Sequence, residues 1–154
     1  MFGIFNRKKS LNHEENKRRF THPGAFSVLA PADWVQDQSG GHFSLSPPDD
    51  AASFAGNAYR KNKNGINGFT QVRFESVQEF YSIIDEKNLK QGHLTVVTRE
   101  YEGIWPDESE PTYYVVNCIE TKNLLISLSI TTSREIFNLN REQYENIVLS
   151  ILEA

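Results

Sequence analysis

A chain of 154 residues fits one domain with a single hydrophobic core, and 38% hydrophobic with 23% charged residues exclude a chain that is disordered throughout. One cysteine excludes a disulfide framework, and no apolar run approaches the ~18 residues that span a bilayer. The net charge of −4 divides unevenly: residues 1–19 carry six basic and two acidic side chains, or +4, while residues 20–154 carry ten basic and eighteen acidic, or −8. An acidic body repels phosphate, so nucleic-acid binding is not expected, and the basic run Arg60-Lys61-Asn62-Lys63 reads as a solvated loop.

Residues 1–20 read as a basic, flexible N-terminal tail. Met1–Phe5 is shorter than the ~7–15-residue core of a signal peptide, and its charges follow it instead of preceding it, so a cytoplasmic location is expected. Phe2, Ile4 and Phe5 ahead of Arg7-Lys8-Lys9 suit at most a weak, reversible contact with an anionic membrane, at ~1 kcal/mol per basic residue. Phe2 stands where N-myristoylation requires glycine.

Residues 21–154 read as a single α+β domain. Strands are expected at Phe26–Leu29 and Trp34–Gln36, joined across a bend that Pro31 initiates, and then at His42–Ser46 and Ser53–Arg60. Gly40-Gly41 and Pro47-Pro48-Asp49-Asp50 supply turns, and Asn62–Gly68 reads as a Gly-rich loop. Ser76 with Glu79 matches a capping box, and Val77, Phe80, Tyr81 and Ile84 fall at i, i+3, i+4, i+7, which predicts a first helix ending between Asn88 and Gly92. A three-strand meander follows at His93–Ile104, Thr112–Glu120 and Asn123–Thr132, with a hairpin turn at Thr121-Lys122-Asn123. In its last strand Leu124, Ile126, Leu128 and Ile130 face one way, and Ser127, Ser129 and Thr131 the other. A final helix is expected from Asn140, with Gln143 at the box position, Leu139 stapled onto Tyr144, and Ile147, Val148, Ile151 and Leu152 in its apolar stripe. Long antiparallel strands with two helices argue against a parallel doubly wound sheet and for a central antiparallel sheet flanked by helices.

This element order, with Phe-Ser-x-x-x-Pro-x-x-Trp at its start, resembles the PsbP-like superfamily, including the bacterial DcrB-like proteins. The matching residues are Phe26, Ser27, Pro31 and Trp34, and the resemblance covers about residues 21 to 154. It implies a PsbP-like sandwich of antiparallel sheet and flanking helices. It also implies a mostly non-catalytic role, as a binding subunit of photosystems, a partner of small GTPases or a chaperone of secreted toxins. The motif is the strand-turn-strand itself, so no family binding residues follow from it.

The side chains that carry chemistry do not cluster. Cys118 sits mid-strand in an apolar run, where a thiol is inert packing, and neither a Gly-x-Ser-x-Gly elbow nor a phosphate-cradling glycine motif is present. His13, His22, His42 and His93 are scattered, so no metal and no cofactor is expected. Trp34 reads as a core plug. The best candidate is the segment Arg99–Pro111, where Glu100, Glu102, Asp107, Glu108 and Glu110 surround Tyr101, Trp105 and Tyr113. Rings that bury area beside charges that steer suit a partner-binding patch, assigned to Tyr101, Trp105, Asp107, Glu108 and Glu110.

The expected function is therefore a non-enzymatic cytoplasmic module that binds a basic protein partner, as an effector chaperone or immunity protein does; a homodimer is left open. The alternative is a small-ligand binder or hydrolase with a pocket between sheet and helix, for which Asn117 is the one polar group on the core face of the strands.

Overall fold

The computed structural model describes residues 16–37 and 42–154. The chain runs β1 (Lys17–His22), β2 (Phe26–Pro31), β3 (Val35–Asp37), β4 (Phe43–Ser46), β5 (Ser53–Arg60), α1 (Gly65–Gln78), β6 (Ser82–Gln91), β7 (Leu94–Gly103), β8 (Thr112–Glu120), β9 (Leu124–Thr132), α2 (Arg134–Leu149) and β10 (Leu152–Glu153). A seven-stranded antiparallel sheet, in the order β3-β4-β5-β9-β8-β7-β6, forms the central layer. A small sheet, β1-β2-β10, joins α2 on one of its faces, and α1 lies on the other.

The main core lies between the large sheet and the α2 layer. Leu128 and Ile130 of β9, Phe54 of β5, Phe26 and Val28 of β2, and Phe137, Tyr144 and Ile147 of α2 all bury there. Period-two alternation puts Ile126, Leu128 and Ile130 on that face, as their sequence pattern predicts. The opposite face of β9 is covered as well: Ser127 and Ser129 are buried, and the Arg73 guanidinium of α1 donates to Ser127 Oγ at 2.9 Å.

Pro31 ends β2, and the Trp34 amide donates to the Pro31 carbonyl at 3.1 Å across the Ala32-Asp33 turn. The two strands expected around this bend exist, but they belong to different sheets, so the bend carries the chain from one layer to the other. Trp34 is 5% exposed and meets Phe54 and Tyr144 edge-on, at ring distances of 5.5 and 6.2 Å. It plugs the seam it was expected to fill.

Three expectations need correction. The first helix is not at Ser76–Asn88. It occupies Gly65–Gln78, where Ile66, Phe69, Phe74 and Val77 cover the sheet, and this burial offsets the ~1 kcal/mol that each interior glycine costs a helix. Ser76 is therefore in the last turn of the helix and not at its start, its hydroxyl donating to the Arg73 carbonyl, and Phe80, Tyr81 and Ile84 lie beyond the helix end. The stretch read as the end of that helix is the edge strand β6, and Gly92-His93 is a two-residue hairpin loop between the paired Gln91 and Leu94. Gly92 has φ +62° while His93 stays at negative φ, the pattern of a type II′ turn, which only glycine enters readily.

The second correction concerns α2, which starts seven residues earlier than expected. Ser133 is its N-cap, accepting from the Ile136 amide at 3.2 Å. Asn140, expected as the cap, instead sits at a kink with φ −118° and ψ 15°, where its Nδ2 donates to the Ile136 carbonyl. Leu139 points to solvent, so no staple forms, and Leu152 belongs to β10 and not to the helix stripe.

The third concerns the domain boundary. Residues 17–20 are ordered into β1, pairing with β2, and Phe20 is buried beneath the Arg18 guanidinium. Residues 1–15 of the basic tail and the Gly40-Gly41 turn lie outside the described residues.

Candidate functional site

β7 ends at Gly103 and β8 begins at Thr112; between them the chain passes through Ile104, Trp105 and the acidic loop. Trp105 is 40% exposed and stacks on Phe80, with ring centroids 5.8 Å apart and planes at 20°. Its edge meets Tyr81 at 5.9 Å, and Tyr81 stacks in turn on Tyr114 at 5.3 Å. Phe80 at 64% and Ile104 at 62% complete an exposed apolar surface.

The glycine at the end of β7 makes this packing possible. A Cβ on Gly103 would stand 2.7 Å from the Phe80 carbonyl oxygen and 2.7 Å from Tyr81 Cδ1, so the turn after α1 crosses β7 only because that position has no side chain. Asp107, Glu108 and Glu110 are exposed along the adjoining loop, which the Glu108 amide closes by donating to the Trp105 carbonyl at 3.0 Å. Burial pushes the Tyr81 phenol above its ordinary pKa, with Trp105 opposing the shift.

Of the five residues assigned to the patch from sequence, Trp105, Asp107, Glu108 and Glu110 come together at this surface. Tyr101 does not. It is fully buried under α1, its ring 6.4 Å from Phe74, because strand alternation turns it inward two residues before β7 ends. Its hydroxyl makes no hydrogen bond by geometry among the described residues; burial raises its pKa, and the neighbouring Arg99 guanidinium opposes that shift. Phe80 and Tyr81 were missed because their helical spacing suggested a buried face.

Glu100 leaves the acidic loop for the interior. It is 2% exposed on the α2 face, where Arg141 donates from Nη1 to Oε2 at 2.7 Å and from Nη2 to Oε1 at 2.9 Å, and the Tyr113 hydroxyl donates to Oε1. Burial by itself would raise the Glu100 carboxyl, but the bonds from Arg141 and Tyr113 prevail and hold it below the usual carboxylate range. The same contact raises Arg141, and burial together with the Glu100 bond raises Tyr113. Every charge in the set is matched, so the cluster pins α2 to the sheet and leaves no group poised for proton transfer.

Beside Glu100, between sheet and α2, lies a cavity of about 20 Å³ lined by Thr98, Asn117, Lys87 and Glu145 among apolar side chains. Small-molecule sites run to ~300–1,000 Å³, so this space does not take a metabolite. Asn117 is satisfied within the sheet: its Oδ1 accepts from Thr98 at 2.7 Å and its Nδ2 donates to the Leu128 carbonyl at 3.0 Å. Cys118 is fully buried, and burial pushes its thiol up to about 12, as inert packing requires. Among the described residues no group of three or more His, Cys, Asp or Glu is placed to hold a metal ion, and no helix is long and apolar enough to cross a membrane.

No family model matches the chain, and no curated protein matches its sequence. Solved structures do match its fold. A protein from Bacteroides thetaiotaomicron is similar with a TM-score of 0.64 and 17% identity over 90% of this chain and 49% of that one, so the chain spans about half its length. Cyanobacterial PsbP (CyanoP) from Synechocystis is similar at 0.61 and 11% identity, over 90% of this chain and 93% of that one. LpqN of Mycobacterium tuberculosis, described as involved in cell envelope biogenesis, is similar at 0.59 and 9% identity, over 93% and 95%. At these identities the likeness concerns architecture alone. The antiparallel sheet between α1 and the α2 layer, entered through the Pro31–Trp34 bend, is a PsbP-like fold.

Proposed function

We propose that the chain is a non-catalytic interaction module that receives a basic protein partner on the surface formed by Phe80, Ile104 and Trp105. The observation that carries this reading is the pairing of exposed stacked rings with an exposed acidic rim. Phe80 and Trp105 offer apolar area at the centre, and Asp107, Glu108 and Glu110 lie at its margin. Aromatic anchors supply most of the energy of such interfaces, and rim charges select and steer the partner. An acidic body extends the attraction to long range. The paired state of Glu100 and the small cavity beside it support a binding role over a catalytic one. Such a partner would make the chain an effector chaperone or an immunity protein.

The test is photo-crosslinking in the native cell from a benzophenone side chain at Phe80, with the exposed Val72 on the outer side of α1 as reference. A basic protein captured from Phe80 and not from Val72, and lost after joint charge reversal of Asp107, Glu108 and Glu110, is the expected result. Identical capture from both positions, or capture indifferent to the charge reversal, would overturn the reading.

A further inference from the structure

We propose that β6 is a self-pairing edge: two copies of the chain join antiparallel along it, with Asn88 on the two-fold axis, and extend the central sheet across the dimer. The large sheet ends in two unlike strands. β3 has three residues, too few to template another chain, whereas β6 has ten, nearly all exposed, and no described strand pairs with its outer side. The surface is separate from the Trp105 patch and does not rest on it.

The backbone defines what β6 offers. In a two-residue hairpin the residues flanking the loop form a hydrogen-bonded pair, so Gln91, Leu89 and Lys87 direct their amides and carbonyls to β7. Lys90, Asn88 and Glu86 therefore direct theirs outward. The Glu86 amide bears this out: it is taken by its neighbour's carboxylate, Asp85 Oδ1, at 2.9 Å instead of by β7. The register to β7 is unbroken from Asp85 to Gln91 and shifts only between Ile83 and Asp85. The regular stretch is thus centred on Asn88.

Side-chain charge selects the same centre. Pairing about Asn88 sets Glu86 opposite Lys90 of the second copy, twice by symmetry, with two neutral Asn88 amides between them. Pairing about Glu86 or Lys87 would set like charges face to face, which is destabilising. Shifts by an odd number of residues are excluded because they put outward backbone groups against inward ones and reverse the faces. The Asn88 register makes about six backbone hydrogen bonds, two at Asn88 and two at each Glu86–Lys90 pair. The Glu86 amide exchanges its Asp85 contact for a Lys90 carbonyl. Glu86 also keeps the Arg99 guanidinium on its own sheet, so the carboxylate bridges two cations.

Cysteine substitution on the full chain tests both the dimer and its register, since the native Cys118 is buried and stays out of the chemistry. Residues opposite one another lie ~5.5 Å apart, within disulfide reach, while the two Glu86 positions would lie ~13 Å apart or more. Asn88→Cys alone should form a disulfide-linked dimer on mild oxidation; Glu86→Cys and Lys90→Cys should fail alone and link when mixed. Sedimentation of the unmodified chain at submillimolar concentration should show a dimer that Asn88→Asp converts to monomer. A monomeric unmodified chain, an Asn88→Cys variant that does not link, or preferential self-linking through Glu86→Cys would each overturn the proposal.

Discussion

Among the described residues, twenty-two buried side chains on the α2 face of the central sheet form one cluster that runs from Phe20 to Ile151 and is stitched by the Glu100–Arg141–Tyr113 contacts; on the α1 face the cluster has five. The thin face is also where the molecule exposes itself: Phe80 and Tyr81 follow directly from α1, and an open groove between α1 and β6–β7 exposes Thr70, Gln78, Glu86 and Arg99. The difference teaches a division of labour. The α2 face contributes the larger share of the burial that stabilises the fold, and the α1 face, with its smaller cluster, leaves apolar surface exposed at its margin.

Removing one ring from each face breaks or sharpens this comparison most strongly. Phe54 is fully buried and meets Trp34 and Tyr144 edge-on, so Phe54→Ala should cost about 5 kcal/mol in urea unfolding, the upper end for an aromatic deletion. Phe74 borders the open groove, whose walls can relax, and Phe74→Ala should cost about 3 kcal/mol. Equal losses would erase the distinction between the faces.

The charged stitch on the α2 side comes next. Arg141→Ala leaves the Glu100 carboxylate buried without its main partner, and about 3 kcal/mol is expected, the low end for a broken buried pair because Arg141 is 31% exposed. The pH dependence has a definite sign. The folded-state pKa of Glu100 is lowered, so its stabilisation is fully present above the ordinary carboxylate range of ~4.3 and is lost as pH falls through the lowered value. Glu100→Gln takes up no proton there, and its stability should fall less steeply on acidification than that of the unmodified chain. Parallel acid profiles would show that the carboxylate is not the group that titrates.

How far the amino-acid pattern reveals these two faces depends on burial. β8 and β9 are legible because alternation is strongest where one face is fully apolar, as at Ile126, Leu128 and Ile130. The position of α1 is hidden by Gly65 and Gly68, whose loop character local reasoning weighs fully while the contacts of Phe69, Phe74 and Val77 with the sheet are invisible to it. β6 is hidden for the opposite reason: an exposed edge strand has no buried side, so Ile84 falls into step with the helical spacing of Val77, Phe80 and Tyr81 by chance. At the site, Trp105 and its acids are legible from composition, but Phe80 is brought to Trp105 only by the long-range crossing at Gly103. Glu100 looked like its acidic neighbours until β7 placed it in the same inward row as Val96 and Thr98.

That crossing gives a smaller effect on the exposed side. Gly103→Ala must displace the Phe80 carbonyl or the Tyr81 ring, at about 2 kcal/mol. The displacement should also open the Phe80–Trp105 stack and shift Trp105 emission to longer wavelength, with Trp34, buried in the other layer, as the unmoved background. A loss of stability with unchanged emission would place the strain elsewhere than under the aromatic surface.

The smallest predicted effect has the reverse sign. Tyr101 and Tyr113 are both buried, one on each face, and they differ in what their hydroxyls meet. Tyr113 donates to a carboxylate, and Tyr113→Phe should cost about 2 kcal/mol, as loss of a hydrogen bond to a charged group does. The Tyr101 hydroxyl is buried without a partner and has already lost its hydration, so Tyr101→Phe removes a desolvated group and leaves the ring against Phe74. Thermal or urea unfolding should find this variant between unchanged and about 1 kcal/mol more stable. A clear destabilisation would mean that the Arg99 guanidinium bonds Tyr101 in solution, and that the α1 face holds a second polar stitch besides Arg73 on Ser127.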